Sequence, residues 1–110
     1  MPETVIARLK KPIAVKFERT PLYKAFEYIG KQTSVTFTID GDALKQSGYT
    51  RNMTQRLNLE NVPATRALHE ILKKYNDMTL AITSEKEKTI TVTTKAVATG
   101  KGLVLLEVGP

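Results

Sequence analysis

The residue types that most often perform catalysis or bind metals are scarce in this sequence. It contains one histidine, His69, and no cysteine, which excludes a histidine cluster, thiolate chemistry and a disulfide framework. His69 lies between Leu68 and Glu70 in a segment with helical periodicity, and counting around that helix places it off the apolar face. We therefore interpret His69 as an exposed helical residue rather than as a catalytic base.

Two arrangements of acidic residues have the types that paired-carboxylate or cation-binding sites use. Glu18 and Glu60 each precede a predicted helix, where the helix dipole stabilises negative charge, so a structural role is the simpler interpretation. Asp40-Gly-Asp42 begins like a cation-binding loop, but the later oxygen ligands and closing glutamate of an EF-hand are missing. Aspartate and glycine are also typical of a turn at a strand end. The sequence therefore predicts no metal site, no cofactor and no enzymatic activity.

Basic residues are abundant but dispersed. The chain has 17 basic and 11 acidic residues, a net charge of +6 that favours anionic partners. The longest contiguous bases are pairs at 10–11 and 73–74, and Gly100-Lys-Gly102 lacks the further glycine and Ser/Thr of a phosphate loop. The four tyrosines are not interleaved with a basic cluster, and no Gly-x-x-Gly loop of the KH kind separates the predicted helices. A nucleic-acid or anionic-surface binding module is therefore our second hypothesis.

An internal repeat organises the elements that carry these residues. The segment 18–29 recurs 42 positions later as the segment 60–71, and each copy is typical of a strand, a tight turn and a helix. A proline lies in each copy where the first helical residue is expected, and Thr20 is expected to cap the first helix. The identical pairs at this offset are Glu18/Glu60, Pro21/Pro63, Ala25/Ala67, Ile29/Ile71 and Lys31/Lys73.

Hydrophobic periodicity predicts the elements of both copies. Ile13, Val15 and Phe17 alternate with polar or small residues, as in a strand with one buried face. Apolar residues at helical spacing follow in both copies, and a second strand follows each helix. The predicted elements are strands at about 13–18, 35–40, 53–60, 78–83 and 89–94, helices at about 21–32 and 63–75, and a helical turn at 43–46.

The length of the chain corresponds to one domain. Residues 1–11 are predicted as a lead-in or short strand, 12–94 as an α+β domain, and 95–110 as a flexible stretch followed by an apolar run. That run, 103–108, is either a last strand or the start of a further segment, and we interpret the chain as a fragment of a longer protein. No stretch has the length and apolar character of a membrane span.

The two copies together form a longer pattern with a known counterpart. The first copy reads Pro12-Ile-Ala-Val-Lys-Phe-Glu-Arg-Thr-Pro-Leu-Tyr-Lys-Ala-Phe-Glu-Tyr-Ile29 and continues from Gln32 to Asp40. The second reads from Leu57 to Leu72 and closes with a hairpin from Leu80 to Thr94. This pattern, about residues 12–94, resembles the secretin/TonB short N-terminal (STN) domain family, which typically has a strand, x-x-Pro-Leu-x-x-Ala-Leu on a helix, and a glutamine-containing turn into an apolar strand.

The resemblance implies an α+β fold with two helices packed between a two-stranded and a three-stranded sheet. Members of the family are non-enzymatic modules of the bacterial envelope. In secretins they contact inner-membrane machinery or secreted substrate, and in TonB-dependent transducers they pass a signal to a membrane-anchored anti-sigma regulator. This chain resembles a divergent member, because Ser34 stands where the family usually has glycine and the usual Gly-Leu is missing after Tyr75.

The leading hypothesis from the sequence is a non-catalytic protein-protein interaction module of the periplasm or cell envelope. Such a module would dock a protein partner, or a second copy of itself, through strand edges or polar helix faces. The resemblance carries over no specific site residue. The candidate interface is the apolar terminal run, comprising Leu103, Val104, Leu105, Leu106 and Val108.

Overall fold

The computed structural model of the protein describes residues 4–108. The terminal ranges considered above, 1–11 and 95–110, therefore include residues 1–3 and 109–110, which lie outside the described residues. The elements in chain order are α1 (Val5–Leu9), β1 (Pro12–Pro21), α2 (Leu22–Thr33), β2 (Thr36–Ile39), α3 (Gly41–Gln46), β3 (Thr54–Pro63), α4 (Ala64–Leu72), β4 (Met78–Ser84), β5 (Thr89–Thr94), α5 (Lys95–Gly100) and β6 (Val104–Leu106).

The strands form two small sheets. Strands β1 and β3 make an antiparallel ribbon, and the second sheet has the strand order β2-β5-β4-β6. In that sheet β2 is parallel to β5, whereas β4 is antiparallel to both β5 and β6. The predicted α+β class, with helices and two small sheets, is confirmed. The second sheet has four strands rather than the expected three, because β6 adds to the edge of β4.

The ribbon shows the internal repeat directly. Lys16 lies opposite Asn58 at its centre, and these two residues are themselves 42 positions apart. The pairs on either side repeat at the same offset, so that the ribbon has approximate twofold symmetry. The register shifts once in each half, which places one bulge in each strand and increases the local twist.

The two main helices begin in equivalent ways, but not with the cap expected from the sequence. Thr20 lies in β1 and α2 begins at Leu22, so the predicted Thr20 cap is wrong. The N–H of Leu22 donates instead to the carbonyl oxygen of Met53 at 2.8 Å, and the N–H of Ala64 donates to that of Lys11 at 3.1 Å. Lys11 and Met53 directly precede β1 and β3, so the residue before each ribbon strand accepts a hydrogen bond from the first N–H of the helix that follows the other strand.

The core lies between the helices and the two sheets. Helix α2 packs against β1 and β2, where the rings of Phe26 and Phe37 stack with centroids 5.5 Å apart, and α4 packs against β3. In the β4–β5 hairpin Leu80 lies opposite Val92, and both side chains are fully buried. Period-two alternation predicts this arrangement because successive side chains of a strand point to opposite faces.

The N-terminal segment is a helix rather than the short strand considered from the sequence. The Oγ1 atom of Thr4 accepts a hydrogen bond from the N–H of Ala7 at 3.0 Å and caps α1. Val5 and Leu9, one helical turn apart, are both fully buried. Five residues are too few for the periodicity of apolar residues to distinguish a helix from a strand.

The C-terminal segment also has more regular structure than predicted. Residues expected to be flexible form α5, which Thr94 caps by accepting a hydrogen bond from the N–H of Val97 at 3.3 Å. Ala98 is fully buried, and α5 packs against β4 and β5. The following apolar run contains a last strand, β6, and therefore belongs to the same folded unit.

Candidate interaction surface

The predicted interface residues of the terminal run differ in burial, because some face the core and others face solvent. Leu106 is only 5% exposed and is therefore a core residue whose side chain is not available to a partner. Val104 is 65% exposed and Leu105 is 40% exposed. Leu103 and Val108 are half-buried. The part of the run that a partner can reach is therefore Val104 and Leu105, at one edge of the four-stranded sheet.

A cleft of about 330 Å³ opens between β6 and the C-terminal end of α4. His69 lines this cleft, and its Nδ1 atom is 3.2 Å from the carbonyl oxygen of Val108. His69 is therefore half-buried rather than exposed as predicted, because the C-terminal segment folds back against α4. The helical count gave the correct side of α4, but the contact joins residues 39 positions apart and has no local signal.

The other edge of the four-stranded sheet is β2. The N–H groups of Thr36 and Asp40 donate to carbonyl oxygens on and beside β5, at 2.8 and 2.9 Å. Phe37 and Ile39 alternate with the residues that face β5, so their backbone N–H and C=O groups point away from it. Within residues 4–108 no strand pairs with this side of β2. The backbone groups on this side of β2 therefore have no strand partner among the described residues, and we call this side the open edge of β2.

A groove of about 470 Å³ lies beside this open edge, between β2 and the end of α2. A Cβ atom on Gly30 would lie 2.4 Å from the carbonyl oxygen of Val35 and 3.2 Å from the ring of Phe37. Only glycine permits this close approach of helix and strand. Glu27 and Lys31, whose charged groups are 3.8 Å apart, also line the groove. No local sequence pattern reveals this role of Gly30, because the approach of Val35 is a tertiary contact.

A polar cluster around Gln55 joins β3 to the end of α4. Gln55 is 1% exposed, and its Nε2 atom donates to the hydroxyl of Tyr75 at 2.9 Å and to the carbonyl oxygen of Met53 at 3.2 Å. The Nζ atom of Lys74 donates to its Oε1 atom at 2.6 Å. Burial and, secondarily, the charge of Lys73 lower the pKa of Lys74. Every polar atom of the Gln55 side chain is therefore satisfied within the chain.

Aromatic rings contact basic side chains at this end of the molecule, which the sequence did not predict. The Nζ atom of Lys74 lies 5.8 Å from the ring centre of Tyr75, and Cζ of Arg51 lies 5.3 Å from that of Tyr23. The rings of Tyr49 and Tyr75 meet edge to face with centroids 5.3 Å apart. These cations already contact rings of their own chain, so the contacts stabilise the fold rather than form an open stacking surface.

The outer face of α4 carries a short ion-pair network. Glu70 lies 2.6 Å from Nζ of Lys73 and 3.1 Å from Nε of Arg66. The hydrogen bond from Lys73 is the main cause that holds the pKa of Glu70 below its usual range, and Arg66 acts in the same direction. The bases of this helix face are thus partly neutralised by their neighbour.

The acidic residues considered from the sequence occupy a helix cap and two strand positions. The Oδ1 atom of Asp40 accepts a hydrogen bond from the N–H of Ala43 at 3.1 Å and caps α3. Glu18 and Glu60 lie within β1 and β3, in the bulged parts of the ribbon, rather than in the first turns of the helices. Among residues 4–108, no group of three or more His, Cys, Asp or Glu side chains is arranged to hold a metal ion.

Two further findings bear on function. None of the helices between residues 4 and 108 is long and apolar enough to cross a membrane. No protein-family model, curated protein or solved structure matches the chain. Its function must therefore be argued from its own residues and from their arrangement.

Proposed function

We propose that this protein is a non-catalytic interaction module that binds an extended segment of a partner protein at the open edge of β2. The observation that carries the proposal is the pair of outward-facing backbone groups at Phe37 and Ile39. An unpaired strand edge offers donors and acceptors in the spacing that another strand requires. Addition of a strand would therefore extend the sheet from four strands to five.

The adjacent groove supplies the specificity that backbone hydrogen bonds lack. Gly30 leaves the carbonyl group of Val35 and the ring of Phe37 close to the helix, and together they line a partly apolar recess. Glu27 and Lys31 place both signs of charge beside it. The expected partner segment is extended, inserts an apolar side chain into the recess and carries polar residues at the flanking positions.

The resemblance of residues 12–94 to STN domains supports the same class of function. We propose on that basis that the parent protein belongs to the bacterial cell envelope, with this domain in the periplasm, as in secretins or TonB-dependent transducers. The α+β architecture, with two main helices and two small sheets, agrees with this proposal at the level of fold class. The partner would then be another component of the same envelope assembly.

The edge-binding proposal is tested with peptides that are selected on the folded domain. Heptapeptides displayed on phage are selected for binding, and the best are titrated into the labelled protein by NMR. We expect the largest amide shifts at Phe37 and Ile39 and along the β2 side of the groove. Shifts confined to other surfaces, or no selectable peptide, would refute binding at β2.

A matched pair of variants at one position sharpens this test. Ile39→Pro removes an outward-facing N–H, whereas Ile39→Ala retains that donor although it removes more of the apolar side chain than proline does. Ile39→Pro should weaken the selected peptides roughly three- to tenfold more than Ile39→Ala, the factor expected for one lost hydrogen bond. Equal binding by the two variants would contradict strand addition.

The nucleic-acid alternative is decided on the same labelled sample. Short duplex and single-stranded nucleic acids are titrated at low and at moderate salt. Counterion release makes such binding strongly salt-dependent. Amide shifts on one face that disappear at moderate salt would therefore favour the hypothesis of a nucleic-acid or anionic-surface binding module over that of a peptide-binding module. We expect no such shifts, because the basic residues are dispersed along the chain and three of them, Arg66, Lys73 and Lys74, are engaged by Glu70 or Gln55.

A further inference from the structure

The edge of the four-stranded sheet opposite β2 is β6, a strand with exposed apolar side chains. Val104, in β6, is 65% exposed and has the largest exposed fraction among the exposed large hydrophobic residues of the described chain. Leu105, beside it, is 40% exposed. The preceding helix α5 packs mainly against β4 and β5, and β6 pairs with β4 on one side only. An apolar, unpaired edge strand is a site at which another chain can add.

We propose that β6 pairs antiparallel with β6 of a second copy of this chain, with Val104 on the twofold axis. The two four-stranded sheets would then join into one sheet of eight strands across the dimer. A contact between identical surfaces related by a twofold axis is the commonest form of homodimer interface. The proposal concerns the β6 edge alone and does not depend on peptide binding at β2.

The symmetry of a shared sheet restricts how the two strands can align. Directly opposed residues of an antiparallel pair point to the same face, so a twofold axis normal to the sheet must pass through a residue pair. An axis at Val104 sets each Leu103 opposite Leu105. An axis at Leu105 would instead set the half-buried Leu103 opposite the charged Glu107. The alignment through Val104 therefore pairs apolar residues with apolar residues.

The charges that flank β6 favour the same alignment. Lys101 and Glu107 lie three residues before and three residues after Val104, and both are exposed. With the axis at Val104, the Lys101 of each copy lies on the same side as Glu107 of the other. Neither residue forms an ion pair with another described residue of its own chain. Lys101 lies in the turn before the strand, and its long side chain can reach a carboxylate beside the ladder.

The size of the contact predicts a weak, reversible dimer. Strand β6 has three residues, so the shared ladder is short and the area buried lies below that of a stable interface. Association should therefore depend on concentration within the range accessible to NMR and sedimentation. Reversal of one charged side chain should change the dimer Kd measurably, because the short apolar contact contributes little to the free energy of association on its own.

The test is a charge exchange across the proposed axis, followed by sedimentation velocity over a dilution series. Lys101→Glu and Glu107→Lys should each raise the dimer Kd roughly two- to thirtyfold, as expected for loss of two exposed ion pairs by symmetry. The double variant should return the Kd close to that of the unchanged protein. Lys86→Glu and Glu87→Lys, in the β4–β5 turn, are controls that change net charge equally and should have no such effect.

Substitution of the residue on the axis gives a second, independent result. Val104→Asp should abolish the dimer by placing two like charges on the axis, whereas Val104→Thr should retain it, and unfolding in urea should show that both variants are folded. A monomer at every concentration, or single charge reversals that the double variant fails to restore, would refute the proposal. Peptide binding at β2 should survive Lys101→Glu, and dimerisation should survive Ile39→Pro, so failure of one proposal is distinguishable from failure of the other.

Discussion

Arg19 and Asn61 adopt the same left-handed backbone conformation, with φ of 52° at both positions. Each lies two residues before the proline that precedes a main helix, and each lies in the bulged part of its strand. The sequence repeat is therefore also a repeat of backbone geometry. The bulge turns the chain so that the strand can lead directly into the helix at Leu22 or Ala64.

The two left-handed positions should respond differently to glycine. Left-handed backbone costs an ordinary residue about 1–2 kcal/mol, whereas asparagine tolerates it better. Because glycine also carries an entropic cost of about 0.5–1 kcal/mol, Arg19→Gly should raise the free energy of unfolding by about 0.5–1 kcal/mol. Asn61→Gly should change it by less than about 0.5 kcal/mol. Urea denaturation of the two variants measures both values.

Neighbouring residues provide the controls for this prediction. Glu18 and Glu60 are exposed strand residues without positive φ, so glycine at either position should lower the free energy of unfolding by about 0.5–1 kcal/mol. If Arg19→Gly were as destabilising as Glu18→Gly, the left-handed conformation would not be a source of strain at Arg19.

The parts of the fold that could be predicted from the sequence are those specified by local signals. The repeat gave both main helices, and alternation gave the β4–β5 hairpin from Met78 to Thr94 within a residue at its ends. The helix caps at Thr4 and Thr94 were present in the sequence, but the helices that they begin have only five and six residues. Helices this short depend on burial of one or two side chains, such as Ala98, which periodicity cannot reveal.

The candidate surfaces depended on contacts between distant residues. The pairing of β6 with β4 moved Leu106 into the core and left Val104 outside, whereas the sequence treated the whole run alike. β2 is an edge strand because it pairs with β5 alone among the described strands, and the contact of His69 with Val108 follows from the return of the C-terminal segment. No local pattern specifies which edge of a sheet remains unpaired.

Replacement of Gly30 by alanine should be strongly destabilising. Its new Cβ would lie 2.4 Å from the carbonyl oxygen of Val35, a backbone atom that cannot move without disturbing the start of β2. We expect a loss of about 2–3 kcal/mol in the free energy of unfolding, as in an overpacked core. Gly41→Ala is the matched control, because nothing lies within 4 Å of its Cβ position and it is the first residue of α3. Equal thermal denaturation midpoints for the two variants would show that the approach of α2 to Val35 is not tight.

The lowered pKa of Lys74 predicts a dependence of stability on alkaline pH. Burial disfavours its charged form in the folded state, so the unfolded chain binds the proton more strongly as the pH approaches the ordinary value of 10.5. Stability should therefore rise as the pH increases from the lowered pKa towards 10.5, relative to Lys74→Met, which lacks the titrating group. Urea midpoints of the two proteins between about pH 8 and 11 measure the difference. Lys31→Met, at an exposed position, is the control and should retain the rise.

Removal of the charge of Lys73 tests one cause of the lowered pKa of Lys74. Lys73→Met removes the positive charge that contributes to the lowered pKa of Lys74, so NMR titration of the lysine side chain should give a higher pKa for Lys74 in this variant. An unchanged or lower pKa would exclude repulsion from Lys73 as a cause.

Two adjacent leucines of β6 should differ sharply in their contribution to stability. Leu106 lies opposite Leu80 and is 5% exposed, whereas Leu105 lies opposite Ala81 and is 40% exposed. Leu106→Ala should lower the free energy of unfolding by about 2–4 kcal/mol, because truncation leaves a cavity against β4. Leu105→Ala should cost less than about 1 kcal/mol, since its side chain loses little buried contact. Urea denaturation at a protein concentration low enough to keep the chain monomeric separates these effects from association. Similar small losses for both variants would mean that β6 contributes little to the fold and that its pairing with β4 is marginal.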